Sequence, residues 1–546
     1  MSQAIHNFEI LVRHGALQGS FSVDEFLQAY QAMHPSLHRY CNTPDVVDIE
    51  ALIYVLARLP EGIHRVREML VQADLPDKIP SLEGLHEVVV PTRRRATFQL
   101  GSERMVVVAR EGVTELLDLV TLLSAFEVES RKMESLLRES TLLSDLRRYL
   151  QGPPERGEEN RLLVRLAFEL GTTDDQIMAL HEVWGEETLG NIVGLVDSPP
   201  HMRVRLHREY CLQSALNRSQ NWARRLAQEV SQRMPGRPIH LISSNTHSTV
   251  NLLSPFPRHY QSEILQWGEQ EFPKLFHNED IARENLIYYL LKYWLEAHPQ
   301  REREQNELHA ACGISTLTDL DRVGVTAQLI DLGQIPTQYC DPRLQLGDFP
   351  NGAPVLVNFD YAFGDQAGVV GEQLFRELGH KQVVSFSIIG KAGSLTGPRG
   401  CLMLPSYLIR EGTRDIYDIP GGNLLEADDF RDLPVGPIFN HGPMLTVLGT
   451  ILQNDNLLRS YRDDWNAIGL EMEGVPYLRA VHQALKQGHL SPNMRVAIGY
   501  YASDSPLQVG ESLSRPLSEK GVNVTYGLNL ALLRKLLKIV NTAPND

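Results

Sequence analysis

Two carboxylates separated by one methionine stand in an apolar stretch of this chain. They are Glu471 and Glu473, with Met472 between them, in the run Gly-Leu-Glu-Met-Glu-Gly. Carboxylates are rarely buried without a partner. A carboxylate accepts hydrogen bonds from two neighbouring hydroxyl groups, as in many ribose sites, and methionine gives a flexible apolar wall. The pattern fits either a sugar site or an acid that caps the helix predicted to follow.

A further acid ends the apolar run "VAIGYYASD", where Ser503 and Asp504 come shortly before Pro506. A carboxyl group at the end of a buried strand, with a raised pKa, can act as a general acid. The alternative is an Asx turn or a helix cap at Asp504, which the segment favours when it is taken alone.

The run "SIIGKAGSLTG" places small residues around one lysine at the end of a predicted strand. Gly390 and Gly393 let a ligand approach the backbone closely, Lys391 adds a positive charge, and Ser394 adds a hydroxyl group. This combination suits an anion, whereas the alternative is an ordinary turn with an exposed lysine. It is not a P-loop, because the G-x-x-x-x-G-K-[ST] spacing is absent.

A polar segment also follows the apolar run "IHLIS". Ser243, Ser244 and His247 lie in it, and they offer hydroxyl and imidazole groups to an anion or a water molecule. The alternative is a polar helix entry with ordinary caps.

The elements that must position these residues alternate between short apolar strands and helices. Continuous apolar strands separated by helices predict an α/β fold with a central mixed sheet covered on both faces, and ligands in such folds bind at the carboxyl ends of strands. We predict this domain over residues 236–546, with a helical insertion at about 255–320. The predicted strands lie in "IHLISS", "PVLVNFD", "QVVSFSIIG", "GCLMLP", "GPIFNHG", "AIGLEMEG" and "MRVAIGYYASD".

Residues 1–235 show helical periodicity and predict a mostly α-helical N-terminal region with a regulatory or interaction role. One hairpin is predicted at 96–110, where Gly-Ser joins two alternating runs. A polar segment rich in proline and glycine at 151–160 predicts a break between two subdomains.

Composition excludes several classes of protein. The chain has 52 lysines and arginines against 68 acids, a net charge of −16, which argues against a general nucleic-acid binder. No run reaches the roughly 18 apolar residues of a membrane span. The five cysteines are scattered without metal-ligand or disulfide spacing, so we expect a cytoplasmic protein with neither metal nor cofactor.

The order of these motifs resembles the nucleoside phosphorylase/nucleosidase superfamily over residues 235–546. The segment 359–395 is similar to the family's glycine-bearing turn, helix, strand and Gly-Ala-Gly loop, with Gly364 in the turn. "GLEMEG" is similar to its ribose-binding motif. "YYASDSPL", followed by Gly-Glu-Ser, is similar to its Ser-Asp element and is most like that of AMP nucleosidase.

The resemblance implies an N-glycosidase that acts on a purine nucleoside or nucleotide. Glu473 and Met472 would hold the ribose hydroxyls with help from Glu471, and Asp504 would protonate or hydrogen-bond N7 of the purine. The turn with Lys391 and Ser394 would face the sugar or a phosphate. We also expect a homo-oligomer.

The departures from the family concern the nucleophile. The polar segment after the first strand has no arginine before Arg258 to hold phosphate, and no acid to activate water. His247 could fill either role. Lys391 replaces a residue that is usually small, and a cation there would suit a 5′-phosphate. The alternative function is a nucleotide-sensing module with a helical output region. The sequence therefore leaves three possibilities open: attack by water, attack by phosphate, or binding without a reaction.

Overall fold

The computed structural model describes residues 2–72, 85–90, 95–109, 113–152, 157–207, 212–318, 320, 323–350, 352–508 and 521–542. The chain forms two compact units. Unit 1 contains Met1–Asn217 and Gly449–Leu457, and unit 2 contains Arg218–Leu448 and Leu458–Asp546.

Unit 1 is mostly helical, as predicted. Its helices and strands are α1 (Ser2–Gln18), β1 (Ser20–Ser22), α2 (Asp24–Ala32), α3 (Ile49–Leu56), β2 (Glu68–Gln72), β3 (His86–Val88), β4 (Thr97–Gln99), β5 (Arg104–Val108), α4 (Val113–Leu137), α5 (Thr141–Gln151), α6 (Glu158–Glu169), α7 (Asp174–Trp184), α8 (Thr188–Asp197) and β6 (Arg203–Leu206). The helix α9 (Leu212–Arg233) begins in unit 1 and continues into unit 2.

The described strands of unit 1 form one six-stranded sheet in the order β1-β6-β2-β5-β4-β3. The predicted hairpin is confirmed, because β4 and β5 pair antiparallel. The other strands of this sheet were not predicted from the sequence. Strands of three residues, such as β1 and β3, are too short to show an alternating pattern.

Unit 2 alternates strands and helices. Its elements are β7 (Ile239–Ser243), α10 (Thr246–Leu253), α11 (Phe256–His259), α12 (Gln261–Glu271), α13 (Pro273–Phe276), α14 (Arg283–Ala297), α15 (Arg301–Ala311), β8 (Ile314–Leu317), β9 (Ala327–Asp331), β10 (Val355–Phe359), α16 (Gln366–Gln382), β11 (Val383–Ser394), β12 (Leu402–Met403), β13 (Tyr407–Arg410), β14 (Ile416–Asp418), β15 (Ile438–Phe439), β16 (Pro443–Thr446), α17 (Asp455–Asp463, whose first residues lie in unit 1), β17 (Gly469–Glu471), α18 (Gly474–Lys486), β18 (Arg495–Asp504) and α19 (Gly521–Thr542).

These strands join in one mixed sheet, whose main path is β14-β13-β16-β17-β11-β7-β10-β9-β8. The long strand β11 is its centre. It pairs parallel with β7 and β18 and antiparallel with β17. Alternate residues of β11 enter separate cores: Ile388 packs in the one that contains α16 and α18, and Ile389 in the one that contains α10, α14 and α19. The predicted α/β fold with a central mixed sheet is therefore confirmed.

The division into units differs from the predicted boundary at 235/236 in two ways. The chain passes from unit 1 to unit 2 inside α9, which is one continuous helix and carries no break in its sequence pattern. It then returns to unit 1 at Gly449–Leu457, within the region predicted as one uninterrupted domain. There the side-chain amide of Asn454 donates hydrogen bonds to the carbonyl groups of Met33 (3.2 Å) and His34 (2.8 Å).

Two predictions lie partly or wholly outside the described residues. They are the linker at 151–160, in which 153–156 are not described, and the Gly-Glu-Ser run at 510–512. Within the described part of the chain, no helix combines the length and the apolar character that crossing a membrane requires.

Candidate functional site

The register of the sheet brings the predicted polar segments to one strand. At the end of β7, Ser243 lies opposite Ile388 of β11. Further along β11, Gly393 pairs with Leu470 of β17 on one side and with Asp504 of β18 on the other. The acid-Met-acid segment and the Ser-Asp element therefore flank the same residue of the central strand.

Glu471 ends β17 and is almost fully buried. One carboxylate oxygen accepts from the hydroxyl group of Thr446, and the other accepts from the backbone N–H groups of Glu473 (2.7 Å) and Gly474 (2.5 Å). Gly474 begins α18, so Glu471 binds the free N–H groups at the start of this helix. Burial raises the pKa of Glu471, and these donors oppose the rise.

Glu473 has a different environment, although it lies only two residues away. Its carboxylate accepts from the backbone N–H of Gly364 at 3.0 Å. Gly364 has a φ of 56°, a left-handed conformation that favours glycine. Burial and the neighbouring Glu471 raise the pKa of Glu473 to about 8, while the positive charge of Lys391 acts in the opposite direction.

The glycine turn at the end of β11 holds its serine internally. The hydroxyl group of Ser394 accepts from the backbone N–H of Gly397 at 2.8 Å and from the thiol of Cys401 at 3.6 Å. The side chain of Lys391 is exposed, and Met472 is partly buried. The polar side chains of this turn that reach solvent are therefore Lys391 and Thr396.

The serines after β7 also have partners within unit 2. Ser243 shares a hydrogen bond of 3.2 Å with the hydroxyl group of Tyr477, and Ser244 donates to the side-chain oxygen of Asn358 at 2.8 Å. Asn245 caps α10 by accepting from the N–H of Ser248. His247 lies in the first turn of α10 with its side chain exposed.

Asp504 is buried at the end of β18. Its carboxylate accepts from the hydroxyl group of Ser503, and Ser503 in turn accepts at its backbone oxygen from Arg399 (2.9 Å). The neighbouring Ser505 donates to the backbone oxygen of Gly397 at 2.9 Å, so the end of β18 is tied to the turn after β11.

Tyr500 is a member of the site that the sequence did not single out. Its side chain is 2% exposed, and its hydroxyl group lies against the carboxyl group of Glu471, to which it donates a hydrogen bond. Burial, with Glu471 and Glu473 close by, raises the pKa of Tyr500 well above its usual range. In the sequence Tyr500 belongs to an apolar strand, and only its pairing with Gly390 shows where it lies.

Gly390 lies directly beside two aromatic rings. A Cβ atom at Gly390 would lie 3.4 Å from the ring of Tyr361 and 3.7 Å from the ring of Tyr500. The sequence missed Tyr361 as well, since it follows the predicted strand in an unpatterned loop. Among the described residues, no group of three or more His, Cys, Asp or Glu side chains is arranged to hold a metal ion.

The arrangement can bind a polar ligand near charged and hydroxyl groups. Glu471 accepts from Thr446, from Tyr500 and from two backbone N–H groups. Glu473 accepts from the N–H of Gly364 and lies near the charge of Lys391. The site therefore offers a carboxyl group, a cation and a buried phenol close together.

Several solved structures are similar to this chain at low identity. The methylthioadenosine/S-adenosylhomocysteine nucleosidase of Campylobacter jejuni is 12% identical, with a TM-score of 0.32, covering 56% of this chain and 100% of that one. The AMP nucleosidase of Bacteroides thetaiotaomicron is 13% identical, with a TM-score of 0.31, covering 59% and 98%. The purine nucleoside phosphorylase of Toxoplasma gondii is 14% identical, with a TM-score of 0.28, covering 45% and 89%. Similarity at this level carries no information on activity.

No curated protein matches the sequence. One family model does, over residues 23–538, which is most of the chain. The chain belongs to the family of unknown function DUF6909.

Proposed function

We propose that unit 2 cleaves the N-glycosidic bond of a purine nucleoside or nucleotide. The observation that supports this most directly is the double pairing of Gly393, with Leu470 on one side and Asp504 on the other. Neighbouring strands lie about 4.8 Å apart, so the two acidic segments stand roughly 10 Å apart across one strand. One nucleoside could then meet a carboxylate at its sugar and another at its base.

Glu473 is the better of the two motif acids for ribose. Glu471 is occupied by Thr446 and by two N–H groups of the chain. Glu473 accepts from the backbone N–H groups of Gly364 and Met472, and a carboxylate has room for about four hydrogen bonds. In this proposal Glu473 accepts from the ribose hydroxyls beside Met472, and Glu471 assists by fixing the backbone of Glu473.

Asp504 is the proposed general acid. When the bond between C1′ and the base breaks, the electron pair stays on the base, and a proton from Asp504 at N7 neutralises it. The sugar becomes oxocarbenium-like, and Glu473 in its ionised form favours the developing positive charge. The oxygen of water, or of phosphate, then bonds to C1′. In hydrolysis the attacking water releases one proton to solvent, and Asp504 takes one proton back from solvent for the next cycle.

The residues proposed to hold phosphate or the nucleophile differ in their hydrogen bonding and exposure. Ser243, Ser244 and Ser394 all have hydrogen-bond partners within unit 2. His247 and Lys391 have exposed side chains. The internal bonding of the three serines favours the second candidate function, a module that binds a nucleotide without turning it over.

The deciding experiment measures the release of free base by chromatography. Adenosine, inosine, guanosine and their 5′-monophosphates are incubated with the protein, with and without phosphate. Release without phosphate indicates hydrolysis, and release only with phosphate indicates phosphorolysis. Binding without release supports the sensing module, and neither binding nor release contradicts both proposals.

Asp504→Asn tests the general acid on the same preparations. Loss of a positioned general acid costs on the order of 10²–10⁴ in rate, whereas loss of a cap costs about 1 kcal/mol of stability. The matched control is Asp463→Asn, at an exposed carboxyl group on α17. An Asp504→Asn protein that melts early but releases base at the wild-type rate would remove Asp504 from the mechanism.

A further inference from the structure

The start of α16 is held by an ion pair in place of an ordinary helix cap. Asp365 occupies the N-cap position, where an aspartate normally accepts from N–H groups of the first turn. Its side chain makes no such bond. Its carboxylate accepts from the guanidinium group of Arg410, the last residue of β13, at 3.1 Å. Helix capping therefore does not explain this aspartate, whereas its contact with Arg410 does.

The residue before Asp365 connects this ion pair to the candidate site. Gly364 donates its backbone N–H to the carboxylate of Glu473 at 3.0 Å. Consecutive Cα atoms are about 3.8 Å apart, so a displacement of Asp365 also displaces the N–H of Gly364. The contacts therefore form one chain from Arg410 to Glu473.

The register of the sheet places Arg410 on the same face as the motif acids. Arg410 lies opposite Thr446 of β16, and Thr446 lies opposite Glu471 of β17. Residues that face each other across neighbouring strands point to the same side of a sheet. The side chains of Arg410 and Asp365 are 21% and 33% exposed, so this ion pair is partly sheltered from water. Arg410 thus reaches the start of α16 from the strand end two strands away from Glu471.

We propose that Arg410 is a positioning residue, which holds Gly364 against the carboxylate of Glu473 through its ion pair with Asp365. The bond from Gly364 then fixes the direction in which Glu473 accepts from a ligand hydroxyl. The use of this arrangement for a ribose rests on the proposed function, whereas the positioning of Glu473 is testable without a ligand.

The first test follows the titration of Glu473. The N–H of Gly364 lowers the pKa of Glu473, against the effect of burial. Arg410→Gln and Asp365→Asn both break the ion pair, so both should release Gly364 and raise this pKa by about one pH unit. A direct effect of charge predicts opposite signs instead. Loss of the Arg410 charge raises the pKa of a nearby acid, and loss of the Asp365 charge lowers it.

Urea unfolding at several pH values gives this pKa. Each variant is compared with the same variant carrying Glu473→Gln in addition. The difference between their free energies of unfolding changes with pH until Glu473 is ionised in the folded protein, and it levels off above the pKa. The double variant Arg410→Gln/Asp365→Asn should shift the pKa no further than either single variant, because one broken ion pair accounts for both. Arg410→Lys keeps the positive charge and should shift it less than Arg410→Gln.

The matched control is Arg237→Gln. Arg237 and Asp331 form an ion pair of 2.6 Å, with side chains 19% and 10% exposed. Asp331 lies opposite Val355, the first residue of β10, so this pair is at the other end of the parallel strands from the site. Arg237→Gln should lower the stability of the protein and leave the pKa of Glu473 unchanged.

The second test measures the affinity for purine ribonucleosides and for their 5′-monophosphates. Arg410→Gln and Asp365→Asn should each weaken both classes of ligand by a similar factor, up to about tenfold. A loss that is confined to Arg410→Gln and to the 5′-monophosphates would mean that Arg410 binds the phosphate directly, and it would overturn the positioning role.

The two tests separate this inference from the proposed function. Shifts of opposite sign in Arg410→Gln and Asp365→Asn, or no shift in either, overturn the inference whatever the protein binds. Raised pKa values with unchanged affinity also overturn it, because the ion pair then supports the fold alone. A wild-type protein that binds none of the ribonucleosides or 5′-monophosphates overturns the proposed function, while the titration still decides whether Arg410 positions Glu473.

Discussion

The carboxyl group of Glu473 should make the protein less stable as the pH rises. Burial and the adjacent Glu471 raise its pKa from the usual 4.5 to about 8. Between these two values the folded protein retains a proton that the unfolded chain has released. The free energy of unfolding therefore falls with rising pH across this window and levels off above pH 8.

The size of this effect follows from the same two values. A rise from 4.5 to about 8 corresponds to at most ~5 kcal/mol, at 1.36 kcal/mol for each pH unit. The Glu473 side chain is only partly buried, so water screens some of this cost. We expect about 2–3 kcal/mol.

Glu473→Gln removes the titration and keeps the shape. An amide oxygen still accepts from the N–H of Gly364, so the variant should match the wild type near pH 4.5 and be more stable by about 2–3 kcal/mol near pH 8.5. Urea unfolding at several pH values gives this difference. Tryptophan fluorescence suits the measurement because four of the five tryptophans, Trp222, Trp267, Trp294 and Trp465, lie in unit 2.

The control for this experiment is Glu302→Gln, at an exposed carboxyl group on α15. Its difference from the wild type should not change with pH. The opposite sign for Glu473→Gln, a wild type that is more stable than the variant at pH 8.5, would refute the reasoning. That outcome would mean that the pairing of Glu473 with Lys391 and Gly364 stabilises the ionised form more than burial destabilises it.

Three further changes should each destabilise the protein, by measurements of urea midpoints. Glu471→Gln leaves a donor amide facing the N–H groups at the start of α18 and should cost about 1–3 kcal/mol; an unchanged midpoint would contradict the capping role. Gly474→Ala places a Cβ atom 2.2 Å from the Leu408 side chain and should cost about 1–3 kcal/mol, with wild-type stability contradicting the close packing. Asn454→Leu removes two hydrogen bonds that unit 1 makes to Met33 and His34 and should cost about 1–3 kcal/mol in unit 1, which an unaltered unfolding curve would disprove.

The sequence predicted the strands of unit 2 well because each is a continuous apolar run that ends in polar residues. The runs at 355–359, 383–394 and 495–504 all form strands of the central sheet. A strand that is buried on both faces needs apolar residues along its whole length, so it can be identified from the local composition of the sequence. We also predicted which polar residues would lie near one another, because these residues follow the carboxyl ends of the predicted strands.

Pairing partners could not be predicted in the same way. The position of Gly393 between Leu470 and Asp504 depends on the register of three strands that are far apart in the chain. A shift by one residue would turn each side chain to the other face of the sheet. Tyr500 could not be identified for this reason, since the residues of its strand alternate between two cores and nothing local shows that its hydroxyl group lies against Glu471.

The return of the chain to unit 1 at Gly449–Leu457 was also invisible in the sequence. The segment carries polar residues that read as an ordinary loop between a strand and a helix. Its place is set by hydrogen bonds from Asn454 to carbonyl groups more than 400 residues away. Local propensity has no information on contacts at that separation.

The two acids of the Glu-Met-Glu motif show how one local pattern yields two different roles. Glu471 ends a strand, so its carboxylate meets the N–H groups that open α18, including the N–H of Glu473 itself. Glu473 is the residue directly before α18, and its carboxylate faces the loop at Gly364. Glu471 therefore both fixes the backbone of Glu473 and, by its charge, helps to raise the pKa of Glu473.

The same neutralising substitution, glutamate to glutamine, should accordingly have opposite effects on stability at the two positions near pH 8.5. It removes a needed acceptor at Glu471 and relieves an unfavourable charge at Glu473. We propose on this basis that Glu471 supports the fold and that Glu473 is the acid available to a ligand.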